Sequence, residues 1–147
     1  MIHKLRKTRN TFIRLPWYRP QGRYKEAELL YQRALAAGER VQGHEHSQTL
    51  TSLNNLAELY RIQGRHEEAE PLYLRALAGR ERVLGVKHQY TLSSLNNLAT
   101  LYCDQGRHEK AEPLYLRALA DRKRVLGDEH PDTLTSTAAL KFRYHLG

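Results

Sequence analysis

With one cysteine, Cys103, in 147 residues, the chain cannot form an internal disulfide. Long apolar runs are also missing: nothing approaches the roughly 18 to 20 residues needed to span a bilayer. No continuous apolar segment precedes a small-residue cleavage site near the N-terminus. The cytoplasm is therefore the expected compartment, and no membrane partner is expected. There is no Gly-rich phosphate loop, no Ser-centred elbow and no His-Glu-x-x-His element, so the sequence offers no recognised catalytic centre and an enzyme is not expected. What remains is a polar, water-facing chain, 40% hydrophobic and 27% charged, long enough for one domain.

Acidic residues are absent from one place in particular. Residues 1–20 hold six basic side chains (Lys4, Arg6, Lys7, Arg9, Arg14, Arg19) and no Asp or Glu, so most of the net charge of +8 belongs to this leader. The rest of the chain carries only +2, which argues against nucleic acid as the main partner. Residues 1–21 are expected to form a basic leader, a degenerate or partly disordered first helix interrupted by Pro16.

Comparison of the sequence with itself gives a gapless period of 42. Gln21-Gly22-Arg23, Gln63-Gly64-Arg65 and Gln105-Gly106-Arg107 set the phase; Ala27, Ala69 and Ala111, then Tyr31, Tyr73 and Tyr115, follow in register. The expected repeat domain is 22–147, in units 22–63, 64–105 and 106–147.

Each unit carries two helical patterns. From Thr49 to Gln63 the residues Leu50, Leu53, Leu56, Ala57 and Tyr60 fall on one helical stripe, and Gly64 ends it. A second helix is expected from about His66 to Leu84, with Ala69, Leu72, Tyr73, Ala76, Leu77, Val83 and Leu84 facing inward and Gly85 as the stop. The earliest copy of this second helix is expected from Tyr24 to Gln42. Pro71 and Pro113 lie about a turn and a half into the second-helix pattern and predict a slight kink. Pro131, after His130 and before Asp132-Thr133, suits a helix start.

The pattern Leu53-x2-Leu56-Ala57-x2-Tyr60, then Gly64, Ala69-x3-Tyr73 and Ala76, resembles the tetratricopeptide repeat, lengthened from its common 34 residues to 42. With Leu-Asn-Asn-Leu-Ala at 53–57 and 95–99, Ala-Glu-Pro-Leu-Tyr at 69–73 and 111–115, and Gly127-Asp-Glu-His-Pro131, it is similar to the repeat domain of kinesin light chains and their relatives. That resemblance implies an all-α fold, a right-handed superhelical solenoid of antiparallel helix pairs, with a concave groove lined by the first (A) helix of each pair and accepting a peptide segment of another protein. The resemblance gives a binding mode and no pathway, since no stretch offers the several heptads a coiled coil would need.

The repeat also supplies its own comparison. Between Thr49–Gln63 and Thr91–Gln105, eleven of fifteen positions are identical; the four that differ are Thr51/Ser93, Glu58/Thr100, Arg61/Cys103 and Ile62/Asp104. They lie together, away from the Leu53–Tyr60 stripe, on what the resemblance implies is the concave face. Asn54 and Asn96 share that face, and their carboxamides can pair with a peptide backbone. The candidate peptide-binding residues are therefore Thr51, Asn54, Glu58, Arg61, Ile62, Ser93, Asn96, Thr100, Cys103, Asp104 and Phe142. Asn55 and Asn97 are expected to tie adjacent units together.

Eight histidines invite a metal reading, but His46, His88 and His130 recur at the repeat period and are too far apart along a stack to share one ion; a structural role is expected, with no metal and no cofactor. Two functions remain: a scaffold holding a partner's peptide, or a repeat fragment that self-associates as a homo-oligomer through uncapped ends. RNA binding rests on the leader alone and is ranked last.

Overall fold

The computed structural model describes residues 21–144. The leader (residues 1–20), including Pro16, lies outside them. The described chain is a series of six helices: α1 (Gln21–Val41), α2 (Ser47–Ile62), α3 (His66–Leu84), α4 (Gln89–Asp104), α5 (His108–Leu126) and α6 (Pro131–Tyr144). Each packs on its sequence neighbours, giving an all-α solenoid in which α2, α4 and α6 are A helices and α1, α3 and α5 are B helices.

Helix boundaries follow from local chemistry. α2 and α4 start two residues earlier than the apolar stripe alone predicts, because histidine caps them. His46 Nδ1 accepts from the Gln48 amide at 3.3 Å and His88 Nδ1 from the Tyr90 amide at 3.1 Å. His130 repeats the contact with the Asp132 amide at 3.2 Å, and Pro131 is the first residue of α6. The periodic histidines thus satisfy backbone donors that a helix start leaves unpaired. At the other end, Gly64 and Gly106 take φ of +76° and +73°, and the following amides of Arg65 and Arg107 reach back to the carbonyls of Tyr60 and Tyr102 at 2.9 and 2.7 Å. A left-handed residue closed by that bond ends a helix with its carbonyls satisfied. Pro71 and Pro113 fall inside α3 and α5, and both helices run on through them.

The core is the repeated stripe: Leu53, Leu56, Ala57 and Tyr60 of α2, Ala69, Tyr73, Ala76 and Leu77 of α3, and their counterparts Leu95, Leu98, Ala99 and Tyr102 of α4 are buried. One part of the expected α3 stripe is different. Val83 is exposed, whereas Arg80, one turn beyond Leu77 and so in line with it, is only 7% exposed. Gly79 permits an unusually close crossing: a Cβ there would stand 2.4 Å from Leu50 Cδ2.

Ion pairs fasten successive repeats. Arg65 joins Glu28 at 2.8 Å while lying over the Tyr60 ring, whose hydroxyl donates to the same carboxylate at 3.0 Å. Arg107, Glu70 and Tyr102 repeat this arrangement one unit on. On the B helices, Arg75 pairs with Glu39 at 2.5 Å and Arg117 with Glu81 at 2.8 Å.

Candidate concave binding groove

The A helices do not approach one another equally. The backbones of α2 and α4 come within 8 Å, whereas among the described residues those of α4 and α6 do not. Side chains bridge the first pair. The Asn97 amide donates to Asn54 Oδ1 at 3.0 Å. Close by in sequence, Arg61 Nη1 meets Asp104 at 2.5 Å while its Nε and Nη2 grip Glu58 at 3.0 and 2.6 Å. Tyr73 of α3 also donates to Glu58, at 2.5 Å. The Arg61 hydrogen bonds hold the Glu58 carboxyl below its usual range against the opposing effect of burial. Burial, then the bond to Glu58, pushes the Tyr73 phenol up.

One repeat further on, neither tie can form. The counterpart of Asn97 is Ala139, which has no amide, and Cys103 stands where Arg61 stood. Here the face opens into a groove of about 360 Å³. Leu92, Val125, Leu126 and Leu140 give it apolar walls, and Ser93, Asn96, Arg122 and Ser136 put polar groups into it. Arg122 donates to Ser136 Oγ at 2.5 Å. With its carboxamide turned to present oxygen, Asn96 accepts from Arg122 at 2.7 and 2.9 Å. Burial pulls the Arg122 guanidinium below its ordinary value, Asp132 opposing, and among the described residues no carboxylate lies within salt-bridge distance of it.

Arg80 is the equivalent residue in the preceding unit. It donates to Ser94 Oγ at 2.8 Å and to the Tyr90 carbonyl at 3.2 Å, and the Tyr90 ring lies over it, with 5.6 Å from guanidinium carbon to centroid. Tyr90 is replaced by Asp132 in the third unit, so Arg122 loses the aromatic cover that Arg80 has.

The sequence-derived candidates are thus divided. Ser93 and Asn96 line the groove. Asn54, Glu58, Arg61 and Asp104 are brought together as the α2/α4 tie. Thr51 and Ser93 bond back to the carbonyls of Ser47 and Gln89, four residues earlier. Thr100 shares a hydrogen bond with the Tyr115 hydroxyl at 2.8 Å, which occupies in α4 the role of the Glu58–Tyr73 contact. Cys103 is half-buried, Ile62 is exposed, and Phe142 is 88% exposed and does not line the groove. Asn97 ties adjacent units as expected; Asn55 is exposed, and its counterpart for such a tie would be Phe12, outside the described residues. Arg122 and Tyr115, both lining the groove, were not among the candidates; Arg122 could have been found from its place in line with Leu119 on the B helix.

Among the described residues no group of three or more His, Cys, Asp or Glu side chains could hold a metal ion, and no helix is long and apolar enough to cross a membrane.

The tetratricopeptide-repeat profile matches residues 17–82, 52–121 and 90–146. The chain belongs to the tetratricopeptide-repeat family, whose repeats generally mediate protein–protein interaction and whose scaffolds are typically non-catalytic. Within it, the chain is of the kinesin-light-chain-like kind. It is similar to BtubC (BKLC) from P. vanneervenii, with 29% identity and a TM-score of 0.76 over 84% of this chain and 50% of that one. It is also similar to the nearly identical TPR-like repeats of a Podosopora anserina protein named for its likeness to kinesin light chains, at 28% identity and a TM-score of 0.76, over 96% of this chain and 65% of that one. The chain thus spans about half to two thirds of the length of these structures. No curated protein matches it in sequence.

Proposed function

We propose that the chain is an interaction scaffold that holds a peptide segment of a partner protein on its concave face, in the step between α4 and α6. The observation that carries this reading is the groove itself. Apolar walls of Leu92, Val125, Leu126 and Leu140 can bury a side chain, and Asn96, Arg122 and Ser136 can meet main-chain or polar groups of the bound segment. The test is selection from a random peptide display library by the wild-type chain and by Asn96→Ala/Arg122→Met, with exposed Asn55→Ala as the surface control. Sequences enriched by the wild type and by Asn55→Ala, and lost from a folded groove variant, support the reading; equal enrichment by all three sinks it.

Self-association is the second reading. It is favoured by Leu30, 64% exposed on α1 where the counterpart Leu72 is half-buried. Against it, α6 carries exposed Lys141 where Ala57 and Ala99 are fully buried. A mass in solution that rises with concentration would favour this reading over the first.

A further inference from the structure

The two steps of the concave face share a backbone plan and differ in side chains, and this difference has the form of a switch. Arg61, Glu58 and Asp104 form a three-membered charge cluster that spans α2 and α4, and the Asn54–Asn97 bond spans the same gap. Asn54, Glu58, Arg61 and Asp104 stand on the face that would otherwise meet a partner, and each is engaged by a group of this chain. We propose that this set is an intramolecular latch: it draws α2 and α4 together, closes their step of the groove to a partner, and leaves the α4/α6 step as the open one. The consequence for binding rests on the function proposed above; the latch itself is a property of the free chain.

Two features make it a latch and not a fixed core contact. Its interhelical ion pair lies on side chains that keep access to solvent, with Arg61 22% and Asp104 36% exposed. Its two parts also respond differently to conditions. Salt screens the ion pair, yet even at 1 M the screening length of about 3 Å is no shorter than the 2.5 Å contact, so salt weakens it without abolishing it. The amide–amide bond carries no net charge and is insensitive to salt. Full opening therefore requires loss of both parts.

The positions Thr51, Ser93 and Thr135 are equivalent in successive A helices and provide a ruler. Spin labels would be placed at 51 and 93 to report the latched step and at 93 and 135 to report the open one, in a Cys103→Ser background, with distances read by pulsed electron resonance on the free chain. The expected result is a 51–93 distribution shorter and narrower than 93–135. In Asp104→Asn/Asn97→Ala it lengthens and broadens toward the 93–135 distribution, and with 1 M NaCl on the wild type it shifts part of the way. A 51–93 distribution that coincides in wild type and folded double variant overturns the latch, as does one no shorter than 93–135 in the wild type. Should the double variant lose helical content, Arg61→Gln/Asn97→Ala, which also removes both parts, is read by the same criterion. No peptide is present, so failure here is separate from failure of the groove as a binding site.

Discussion

Asn97 of α4 donates its side-chain amide to Asn54 of α2 at 3.0 Å, and the residue one repeat beyond Asn97 is Ala139. A single missing carboxamide thus coincides with the place where the face opens and where Asn96, the counterpart of Asn54, turns to Arg122 instead.

Restoring that carboxamide should close the groove. In Ala139→Asn the new amide is expected to bond Asn96, adding about 1 kcal/mol of stability for one neutral hydrogen bond. Asn96 then has less acceptor capacity for Arg122. Thermal melting should rise slightly and enrichment of peptides should fall. A variant that binds as the wild type does would show that the missing amide is not what keeps the step open.

Gly79 and Leu50 are expected to be coupled. A methyl at residue 79 meets Leu50 Cδ2 at 2.4 Å, and Leu50 is itself buried. Overpacking of this kind costs about 1–3 kcal/mol, which outweighs the gain of about 1 kcal/mol from replacing glycine by alanine in a helix. Gly79→Ala should therefore destabilise despite its better helix propensity. In a Leu50→Ala background the same change should be neutral or favourable. Denaturant unfolding of the four proteins gives the coupling directly, and additive effects would contradict the steric account.

Acid should loosen the contact between α2 and α4 through Glu58. Its folded-state carboxyl is held below the usual value by Arg61, so its contribution is present above the unfolded carboxyl pKa, near 4.5, and is lost as pH falls through the lower folded value. The stability of the wild type should therefore drop below about pH 4.5 more steeply than that of Glu58→Gln. Melting curves collected from neutral to acidic pH check this, and parallel profiles for the two proteins would assign the acid sensitivity to other carboxylates.

The fold was largely legible because the period of 42 places the same apolar residue types at the same helical angle in each unit. Leu53 and Leu95, Ala57 and Ala99, Tyr73 and Tyr115 were readable as packing positions without any tertiary information. The periodic histidines were readable as structural, although their capping role depends on the extended backbone at His46 and His88. The groove was less legible. Ser93 and Asn96 were identifiable from the A-helix face, but which candidates bond to each other depends on how closely neighbouring helices approach. Arg61 and Asp104 look like two free charges in the sequence and are one ion pair in the fold. Arg80 and Arg122 were missed because a charged residue within an apolar stripe reads as an interruption, when a long side chain can lie along that stripe and satisfy its donors on Ser94 or Ser136.

The unequal A-helix spacing also divides the molecule mechanically. Helices α2 to α5 are cross-linked by the Arg61–Asp104 and Asn97–Asn54 contacts on one side and by Arg117–Glu81 on the other, the fixed jaw of a vice, whereas among the described residues the backbone of α6 approaches that of α5 alone. Anything held between α4 and α6 exchanges part of its binding energy for the lost freedom of that one helix. Occupancy would then be felt as a stiffening of α6, in slowed amide exchange along Pro131–Tyr144, while the fixed jaw stays silent.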